Sequence, residues 1–496
     1  MAYISKTDYL LWRECPKNAW LRIHKPELYS SAELTEFERS IIDAGIEVEE
    51  TARSLFPHGT LVTGTIDEAP QSTRRLLASK PRTLFQPVFE RDQLFAKIDV
   101  LQCDPETDEY TTQEVKSSTG VREEHVYDLA FQVLLLRQCG LDIKQAFVVH
   151  LNPNYVREED VDVPQLFMTV DVTERIAQIS DEVIQEMQAS RMYLLSEAEP
   201  QGPCSCIYKG RSKHCSTFDY SNPYIPKYGI HDIARIGNSP NKLKELVEAG
   251  VFELESLPAA FKLTTAQRAQ LDAYRTGKTI VDRLAISKEL GDLSFPLHFI
   301  DYETFASPLP LFPKYSPYDQ IPLQYSVHIV GSPGEEPIHR DFLHTGSYDP
   351  SASFLSSLKQ HVVPFGAIIV WNKGFESHVN DEIARRLPAA RDYLFEFNDR
   401  VYDLMEIFTK QYFVHKDLYG KVSIKKVLPV LAPQLSYSPL LIHDGATASL
   451  VWKKLISGQL SDVECAKLLA QLREYCALDS YGMYAIWQAL MGLTKN

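Results

Sequence analysis

Hydrophobic and polar positions along the first 220 residues repeat with the spacing of strands in some stretches and of helices in others. Short apolar, β-branched runs between turn-forming residues predict strands, whereas apolar residues recurring every three or four positions predict helices. The predicted strands cover residues 84–90, 94–101, 110–117 and 145–151. The predicted helices are a short one within residues 1–30 and longer ones over residues 38–56, 123–139 and 173–196. This order of helix, antiparallel hairpin, helix and strand predicts an α/β unit.

The remaining sequence predicts a helical segment followed by a second α/β unit. Two pieces of the segment, 246–251 and 263–271, resemble helix-hairpin-helix elements, which bind a DNA backbone through amides at helix N-termini, although a plain helical linker has the same pattern. In the second unit, the predicted strands cover residues 298–302, 323–330, 338–343 and 367–371, and the predicted helices cover residues 351–361, 376–387 and 462–490. The predicted domains are therefore residues 1–220, 221–290 and 291–496, and the predicted fold class is α/β.

The composition is that of a globular chain of 496 residues, long enough for about two or three domains. A formal net charge of −15 argues against nonspecific binding of a polyanion, although a bound metal ion would itself supply positive charge to a phosphate. The first residues lack the apolar core of a signal peptide, and no run of about 18 apolar residues occurs. We therefore expect a cytoplasmic protein with no membrane partner, whose eight cysteines are thiols or metal ligands rather than disulfides.

An acidic pair lies on the first predicted strand of the second unit. Asp301 and Glu303 would leave the same face of that strand about 7 Å apart, and a divalent cation would relieve their repulsion. Glu376 opens a later helix, whose N-terminus favours an anion, and Tyr475 and Asp479 share one face of the last helix. We predict a catalytic site made of these five residues. Asp301, Glu303 and Asp479 would bind metal, and the Tyr475 phenol would orient an attacking water.

A second acidic set lies on the predicted hairpin of the first unit. Asp99 on one strand and Glu114 and Lys116 on the next can converge on one face. The two carboxylates and the Val115 carbonyl are hard oxygen ligands that suit Mg²⁺ or Mn²⁺. Lys116 would then stabilise the attacking water and the developing charge. A solvated strand edge can carry the same Glu-x-Lys pattern.

Four cysteines bracket the first unit, and their surroundings are polar or contain proline. They are Cys15, Cys204, Cys206 and Cys215. Four thiolates can hold a [4Fe–4S] cluster or a tetrahedral zinc ion, and His214 is an alternative ligand. The cysteines at positions 103, 139, 465 and 476 lack partners at ligand spacing, and we expect them to be structural.

Residues 1–220 resemble the PD-(D/E)XK nucleases, in particular the RecB/AddB-like and CRISPR-associated iron–sulfur exonuclease group. The resemblance rests on the strand acid Asp99, on Glu114 and Lys116, on Gln132 in the following helix, and on the four cysteines. It implies a catalytic role for Gln132 and the other three residues. It also implies a [4Fe–4S] cluster that ties the first helix to the end of the domain.

The last 200 residues resemble the DEDDy 3′–5′ exonucleases, which have an RNase H-like fold. The three motifs of that superfamily correspond in order to residues 301–303, 372–376 and 475–479. The segment from Ser423 to Lys425 also resembles a Ser-Leu-Lys segment of related exonucleases, although a helix N-cap has the same pattern.

Three positions depart from these families. Ile98 stands where the first group has a proline. Glu49 stands where it has a histidine, which leaves its third metal ligand open between Glu49, Glu50 and none. Glu376 stands where the second superfamily has an aspartate, and Asp403 is a competing acid that we rank behind it.

The two resemblances together imply a restriction-endonuclease-like α/β domain and an RNase H-like α/β domain joined by a helical segment, a combination that resembles an uncharacterised bacterial family. We expect a Mg²⁺- or Mn²⁺-dependent nuclease that acts on nucleic acid, DNA rather than RNA, in repair, recombination or defence. A separate helicase or a repair complex is the expected partner. In the alternatives, one half is an inactive nucleic-acid clamp, or the whole chain is a metal-containing adaptor.

Overall fold

The computed structural model describes residues 3–29, 36–65, 67–456, 458 and 460–495. The fold is mixed α/β, as the sequence predicts. The chain divides into two compact units. The first contains residues 1–225 and 307–318, and the second contains residues 226–306 and 319–496. The predicted helical segment, from residue 226 onwards, thus groups with the second unit.

The first unit contains strands β1 to β9 and helices α1 to α9. In chain order they are β1 Ile4–Ser5, α1 Lys6–Glu14, α2 Pro16–His24, α3 Pro26–Tyr29, α4 Glu36–Ala52, β2 Thr60–Leu61, α5 Ala69–Ala78, β3 Thr83–Phe85, β4 Val88–Arg91, β5 Leu94–Lys97, β6 Val100–Asp104, β7 Glu109–Lys116, α6 Glu123–Gln138, β8 Asp142–Leu151, α7 Val163–Leu166, β9 Phe167–Asp171, α8 Thr173–Leu194 and α9 Phe218–Ser221.

Two sheets form the frame of the first unit. The larger has the strand order β2-β3-β6-β7-β8-β9, with β6 antiparallel to β7 and β7 parallel to β8, and the smaller has the order β1-β5-β4. Helix α6 is buried along nearly its whole length and packs against α8 and the sheets, which explains its apolar residues on all sides.

Three predicted elements of this unit are wrong in detail, because the chain breaks where a continuous element was expected. The predicted strand 94–101 is two strands, β5 and β6, in different sheets, and Asp99 lies at the bend between them rather than on a strand. The predicted strand 84–90 breaks at Gln86, whose φ is 54°. The single helix expected within residues 1–30 is three helices, because Pro16 begins α2 and Cys15 before it is extended.

The second unit contains strands β10 to β16 and helices α10 to α19. In chain order they are α10 Pro240–Glu248, α11 Thr265–Thr276, β10 Ile280–Val281, α12 Arg283–Gly291, β11 Leu297–Ala306, β12 Gln320–Val330, β13 Ile338–Leu343, α13 Ser351–His361, β14 Ala367–Val370, α14 Lys373–Arg386, α15 Arg391–Asp399, β15 Val401–Asp403, α16 Glu406–Thr409, β16 Phe413–Val414, α17 Ile424–Leu431, α18 Gly445–Ile456 and α19 Asp462–Thr494.

The main sheet of the second unit has the order β13-β12-β11-β14-β15. Strand β12 runs antiparallel to both of its neighbours, whereas β11, β14 and β15 are parallel. Both faces are covered. One core cluster joins the sheet to α13, α14 and α15, and another joins it to α12, α17 and α19. Strand β11 is accordingly buried along almost its whole length, as a central strand must be.

Among the helices in the described residues, none is long and apolar enough to cross a membrane.

Candidate functional site

Three carboxylates of the second unit converge on one point. Leu297 and Phe299 of β11 point into the core that α19 covers, and the two-residue period of a strand places Asp301 and Glu303 on the same face. Helix α19 contributes Asp479 to that face. One carboxylate oxygen from each of the three acids lies within 4.8 Å of the others. The structure therefore brings together the three residues that the sequence predicts as metal ligands of this unit.

Burial raises the pKa of all three carboxyl groups. The pKa of Asp301 lies well above its ordinary 3.8, because the group is buried and because Asp479, Glu303 and Glu376 are near it. Burial, and then the charge of Asp479, raises the pKa of Glu303 to about 8. The pKa of Asp479 rises to about 6, since burial outweighs the opposing effect of a hydrogen bond from Tyr437. A divalent cation would relieve the repulsion among these groups.

Two phenols and one lysine surround Asp479. The Tyr437 hydroxyl donates a hydrogen bond to Oδ1 of Asp479, and Tyr475 lies one helical turn before that residue. Lys425 Nζ lies 3.4 Å from the Tyr475 hydroxyl and above the rings of both tyrosines. Burial raises the pKa of both phenols above the usual range, so they remain protonated. The sequence singled out Tyr475 and the segment of Lys425, but Tyr437 lies in a loop and has no spacing signal.

The two competing acids of this unit have different surroundings. Glu376, in the first turn of α14, is buried, and its Oε2 has no hydrogen-bond partner among the described residues. Burial, and then the charge of Asp403, raises the pKa of Glu376 to about 8. Glu376 lies outside the set of ligand atoms within 4.8 Å. The Asp403 carboxylate accepts hydrogen bonds from the amides of Asn372 and Lys373, both at 3.1 Å, and thus caps the start of α14.

In the first unit, Glu114 is the centre of a buried network of opposite charges. Its Oε1 accepts hydrogen bonds from Lys116 Nζ at 2.7 Å and from Lys6 Nζ at 2.6 Å, and its Oε2 accepts one from Gln132 Nε2 at 2.7 Å. The Asp128 carboxylate accepts hydrogen bonds from Lys116 at 2.6 Å and from Gln132 at 2.9 Å. The structure therefore brings the predicted residues Glu114, Lys116 and Gln132 together.

Lys6 and Asp128 are members of this network that the sequence did not single out. Asp128 could have been found, because it lies one helical turn before Gln132 on α6. Lys6 lies 108 residues from Glu114, and nothing in the local pattern connects the two. Only the packing of the N-terminal elements reveals its contact.

The remaining predicted residues of the first site are arranged around Asp99. Its Oδ2 accepts a hydrogen bond from the Val115 amide at 2.8 Å, whereas the sequence prediction concerned the Val115 carbonyl. Burial, and then the charges of Glu114 and Glu49, raises the pKa of Asp99 to about 8. Glu49 accepts hydrogen bonds from Gln86 at 2.5 Å and from a neighbouring arginine, whereas Glu50 is exposed.

The first site differs from the second in how close its ligand atoms lie. In the described part of the chain, no set of three His, Cys, Asp or Glu ligand atoms within 4.8 Å of one another includes Asp99 or Glu114. Neither Glu49 nor Glu50, the two candidates for a third metal ligand, therefore has a carboxylate oxygen that completes such a set.

Four cysteines of the first unit form a compact thiol cluster. The Sγ atoms of Cys15, Cys204, Cys206 and Cys215 all lie within 4.8 Å of one another, and this set could hold a metal ion or a cluster. Cys215 Sγ lies 3.9 Å from that of Cys15 and 3.8 Å from that of Cys204. The site connects the junction of α1 and α2 with residues 204–215, as the sequence predicts.

Other groups near the thiol cluster have separate contacts. Asn222 Nδ2 donates a hydrogen bond to Cys204 Sγ at 3.2 Å. The His214 ring stacks on Phe218 and its Nε2 lies 3.0 Å from the Lys209 carbonyl, so this histidine lies outside the four-sulfur set. The other cysteines of the chain also lie outside that set.

Comparison with known proteins covers part of the second unit. Residues 298–423 match the model of a family described as a domain of unknown function (DUF2779). The match includes Asp301, Glu303 and Glu376, and it ends before Tyr475 and Asp479. No curated protein matches the chain.

Proposed function

We propose that this protein is a metal-dependent nuclease that hydrolyses phosphodiester bonds, with DNA as the favoured substrate. The observation that carries the proposal is the convergence of three carboxylates, those of Asp301, Glu303 and Asp479. Glu303 and Asp479 are buried and Asp301 is half-buried, and Asp479 follows Asp301 by 178 positions in the chain. Placing three carboxylates this close together, two of them buried, is costly unless a cation compensates them, so a metal site explains the arrangement better than a purely structural role.

The donor set fits a hard divalent cation. Carboxylate oxygens are the ligands that Mg²⁺ and Mn²⁺ prefer, and no soft thiolate belongs to the set. When bound there, such an ion would neutralise charge on a phosphodiester and make an attacking water more acidic.

The side chains beside the carboxylates supply the other functions that hydrolysis needs. Tyr475 stays protonated and can hydrogen-bond an attacking water. Lys425, 3.4 Å from that hydroxyl, brings a positive charge that can stabilise the developing charge of a phosphate. Tyr437 holds Asp479 in place through its hydrogen bond.

The fold supports the same proposal. The sheet β13-β12-β11-β14-β15, in which β12 is antiparallel to both neighbours, is compatible with the RNase H-like domain that we propose. The order of motifs at residues 301–303, 372–376 and 475–479 resembles the DEDDy exonucleases. On this reading, the protein acts in repair, recombination or defence, where a helicase would supply the strand.

For the first unit we propose a restriction-endonuclease-like nuclease site built on Asp99, Glu114 and Lys116. A second candidate function is a nucleic-acid clamp, in which this unit binds the substrate without cutting it. One observation favours the clamp. Glu114 is already neutralised by two lysines, and no compact three-ligand set surrounds it in the described residues.

For the four cysteines we propose a metal centre that stabilises the first unit, either the [4Fe–4S] cluster of the related nucleases or a zinc ion. Tetrahedral zinc with bonds of about 2.3 Å places its sulfur ligands about 3.8 Å apart. The distances of 3.8 and 3.9 Å at Cys215 fit that geometry. A [4Fe–4S] cluster binds each thiolate to a different iron and therefore requires the sulfur atoms to lie farther apart.

The test of the nuclease proposal uses the full chain, purified without oxygen, and end-labelled single- and double-stranded DNA and RNA with Mg²⁺ or Mn²⁺. We expect degradation that EDTA abolishes. Asp301→Asn should slow the reaction of the second site by about a hundredfold or more, because a ligand charge is lost. Lys116→Ala reports on the first site, and Asp399→Asn, an exposed acid of the second unit, is the control.

The outcome for each variant separates the two units. If only Asp301→Asn reduces cleavage, the first unit is the clamp of the second candidate function. If Asp301→Asn and Lys116→Ala both degrade every substrate as fast as the parent, neither proposed site is catalytic.

A further inference from the structure

The N-terminal elements place one residue, Lys6, into the first site. Strand β1 pairs in parallel with β5, the strand that leads into Asp99. Ser5 then caps α1, since its hydroxyl accepts a hydrogen bond from the Asp8 amide and its own amide donates to the Asp8 carboxylate. Lys6 is the first residue of that helix. Its position is therefore held on both sides, by a strand pair and by a helix cap.

The Lys6 ammonium group forms a close ion pair with the Glu114 carboxylate. Its Nζ lies 2.6 Å from Glu114 Oε1 and 3.7 Å from Asp128 Oδ1. Glu114 and Asp128 are almost completely shielded from solvent, with side-chain exposures of 3% and 4%. Lys116 contacts both acids as well. Two ammonium groups thus balance the charges of these two buried carboxylates.

A divalent ion bound to Glu114 would have to lie close to both ammonium groups. Like charges a few ångströms apart in a partly buried site repel strongly. Glu114 Oε1 already accepts hydrogen bonds from two lysines, and Oε2 accepts one from Gln132, so both oxygens have partners. One of the two ammonium groups must therefore move away from Glu114 before a divalent ion can bind there with high affinity.

Lys6 can move away from Glu114 more easily than Lys116 can. Lys116 bridges both acids at 2.7 and 2.6 Å, whereas Lys6 makes one short contact and one at 3.7 Å. The two side chains are equally exposed, Lys6 at 21% and Lys116 at 22%, so the difference between them lies in their contacts. A flexible lysine stem can carry its charged end into solvent once its single short contact is lost.

We propose that Lys6 is a built-in cation that competes with divalent metal for Glu114 and so sets the metal affinity of the first site. The inference rests on the proposed nuclease function of that site. In the metal-free state, Lys6 neutralises Glu114. Metal binding displaces the Lys6 ammonium from that carboxylate, which leaves it available to bind a phosphate of the substrate.

The test measures Mn²⁺ affinity of the full chain by electron paramagnetic resonance, in an Asp301→Asn/Asp479→Asn background so that the second site is silent. Mn²⁺ prefers oxygen ligands, so the four thiols do not contribute. We expect Lys6→Met to bind Mn²⁺ about tenfold or more tightly, because a competing charge is lost. Lys6→Arg keeps the positive charge, so this variant should bind Mn²⁺ as weakly as the background protein does. Lys25→Met is the matched control, since Lys25 forms a similar ion pair with Glu199 in the same unit.

Each result decides between roles for Lys6. Unchanged or weaker Mn²⁺ binding by Lys6→Met would overturn the inference. Lys6 would then stabilise the fold or bind the substrate instead. Mn²⁺ binding by none of these proteins would instead overturn the metal site of the first unit, and the inference with it.

A second measurement avoids substitution of Lys6 altogether. Acetylation of lysines in the background protein, followed by mass spectrometry, should modify Lys6 several-fold faster when Mn²⁺ is saturating, with Lys25 unchanged. Equal labelling of Lys6 with and without saturating Mn²⁺ would overturn the displacement.

Discussion

At the scale of single residues, the second unit has an unusual concentration of buried acids. Burial raises the pKa of Asp301, Glu303 and Asp479. The charge of Asp479 further raises the pKa of Asp301 and of Glu303. The phenol of Tyr437 opposes the effect of burial at Asp479, because its hydrogen bond stabilises the ionised carboxylate. Tyr437 is therefore expected to help keep Asp479 in the form that binds a cation.

Tyr437→Phe tests this role. Loss of the hydroxyl should raise the pKa of Asp479 further, so that Mn²⁺-dependent cleavage requires a higher pH, by about one unit. The measurement is the pH profile of cleavage by the parent and the variant. Tyr393→Phe is the matched control, because the Tyr393 hydroxyl is also buried but has no hydrogen-bond partner among the described residues. An unchanged profile for Tyr437→Phe would show that the hydroxyl does not tune Asp479.

At the scale of secondary structure, each candidate site is built where two or more elements meet. Strand β11 supplies two acids on one face, and α19 crosses that face with a third. In the first unit, the bend between β5 and β6 supplies Asp99, β7 supplies Glu114, and α6 supplies Gln132. The thiol cluster joins the break between α1 and α2 to a segment almost 200 residues later. We therefore expect this cluster to hold the N-terminal helices, and with them Lys6, in place.

Cys15→Ser tests the expected contribution of the thiol cluster. Loss of one of four thiolates should release the metal and reduce the free energy of unfolding by about 3 kcal/mol or more, roughly 6–12 °C in Tm. The measurements are iron and zinc content and thermal unfolding. Cys139→Ser, a half-buried thiol of the same unit outside the cluster, should change neither. A parent protein without iron or zinc would contradict the metal centre itself.

At the scale of the whole molecule, the formal net charge of −15 gives the chain no general attraction for nucleic acid. A few of its acids are nevertheless in surroundings that raise their pKa values, such as Glu303 and Asp99 at about 8. Divalent ions should thus have two effects, compensating these carboxylates and giving a phosphate backbone a positive site to bind.

The pH dependence of stability follows from the same groups. A raised folded-state pKa means that the folded chain binds more protons than the unfolded chain, so this stabilisation is present below the ordinary pKa of about 4. It is lost as the pH rises through about 6 for Asp479 and about 8 for Glu303. Metal-free protein should therefore have a lower Tm at about pH 8.5 than at about pH 5.5. Mn²⁺ should raise Tm more at the higher pH, where it no longer competes with protons.

Thermal unfolding with EDTA or Mn²⁺ at the two pH values measures both effects. An Asp301→Asn/Asp479→Asn variant should have a smaller difference between the two pH values, because two of the responsible groups no longer titrate. A Mn²⁺-induced shift in Tm that is equal at both pH values would contradict the proposed competition.

Short-range pattern was sufficient for much of the fold and of the second site. The period of two in a strand places Asp301 and Glu303 on one face, and the period of the helix places Tyr475 and Asp479 on another. These spacings follow from backbone geometry among near neighbours, so they can be predicted without knowing the tertiary structure. The same holds for the α/β class, whereas the grouping of Cys15 with the three later cysteines came from the resemblance to the iron–sulfur nucleases.

Contacts between distant segments could not be predicted in this way. Lys6 meets Glu114 across 108 residues, and Tyr437 meets Asp479 across 42, with no periodic signal at either position. The bend at Asp99 also depends on two sheets that pair β5 and β6 with different partners. Packing of whole elements decides such contacts, because any local segment is compatible with many partners until the core is formed. The contacts of Lys6 and Tyr437 with these carboxylates were therefore visible only in the folded chain, whereas Lys116 was already predicted from the sequence.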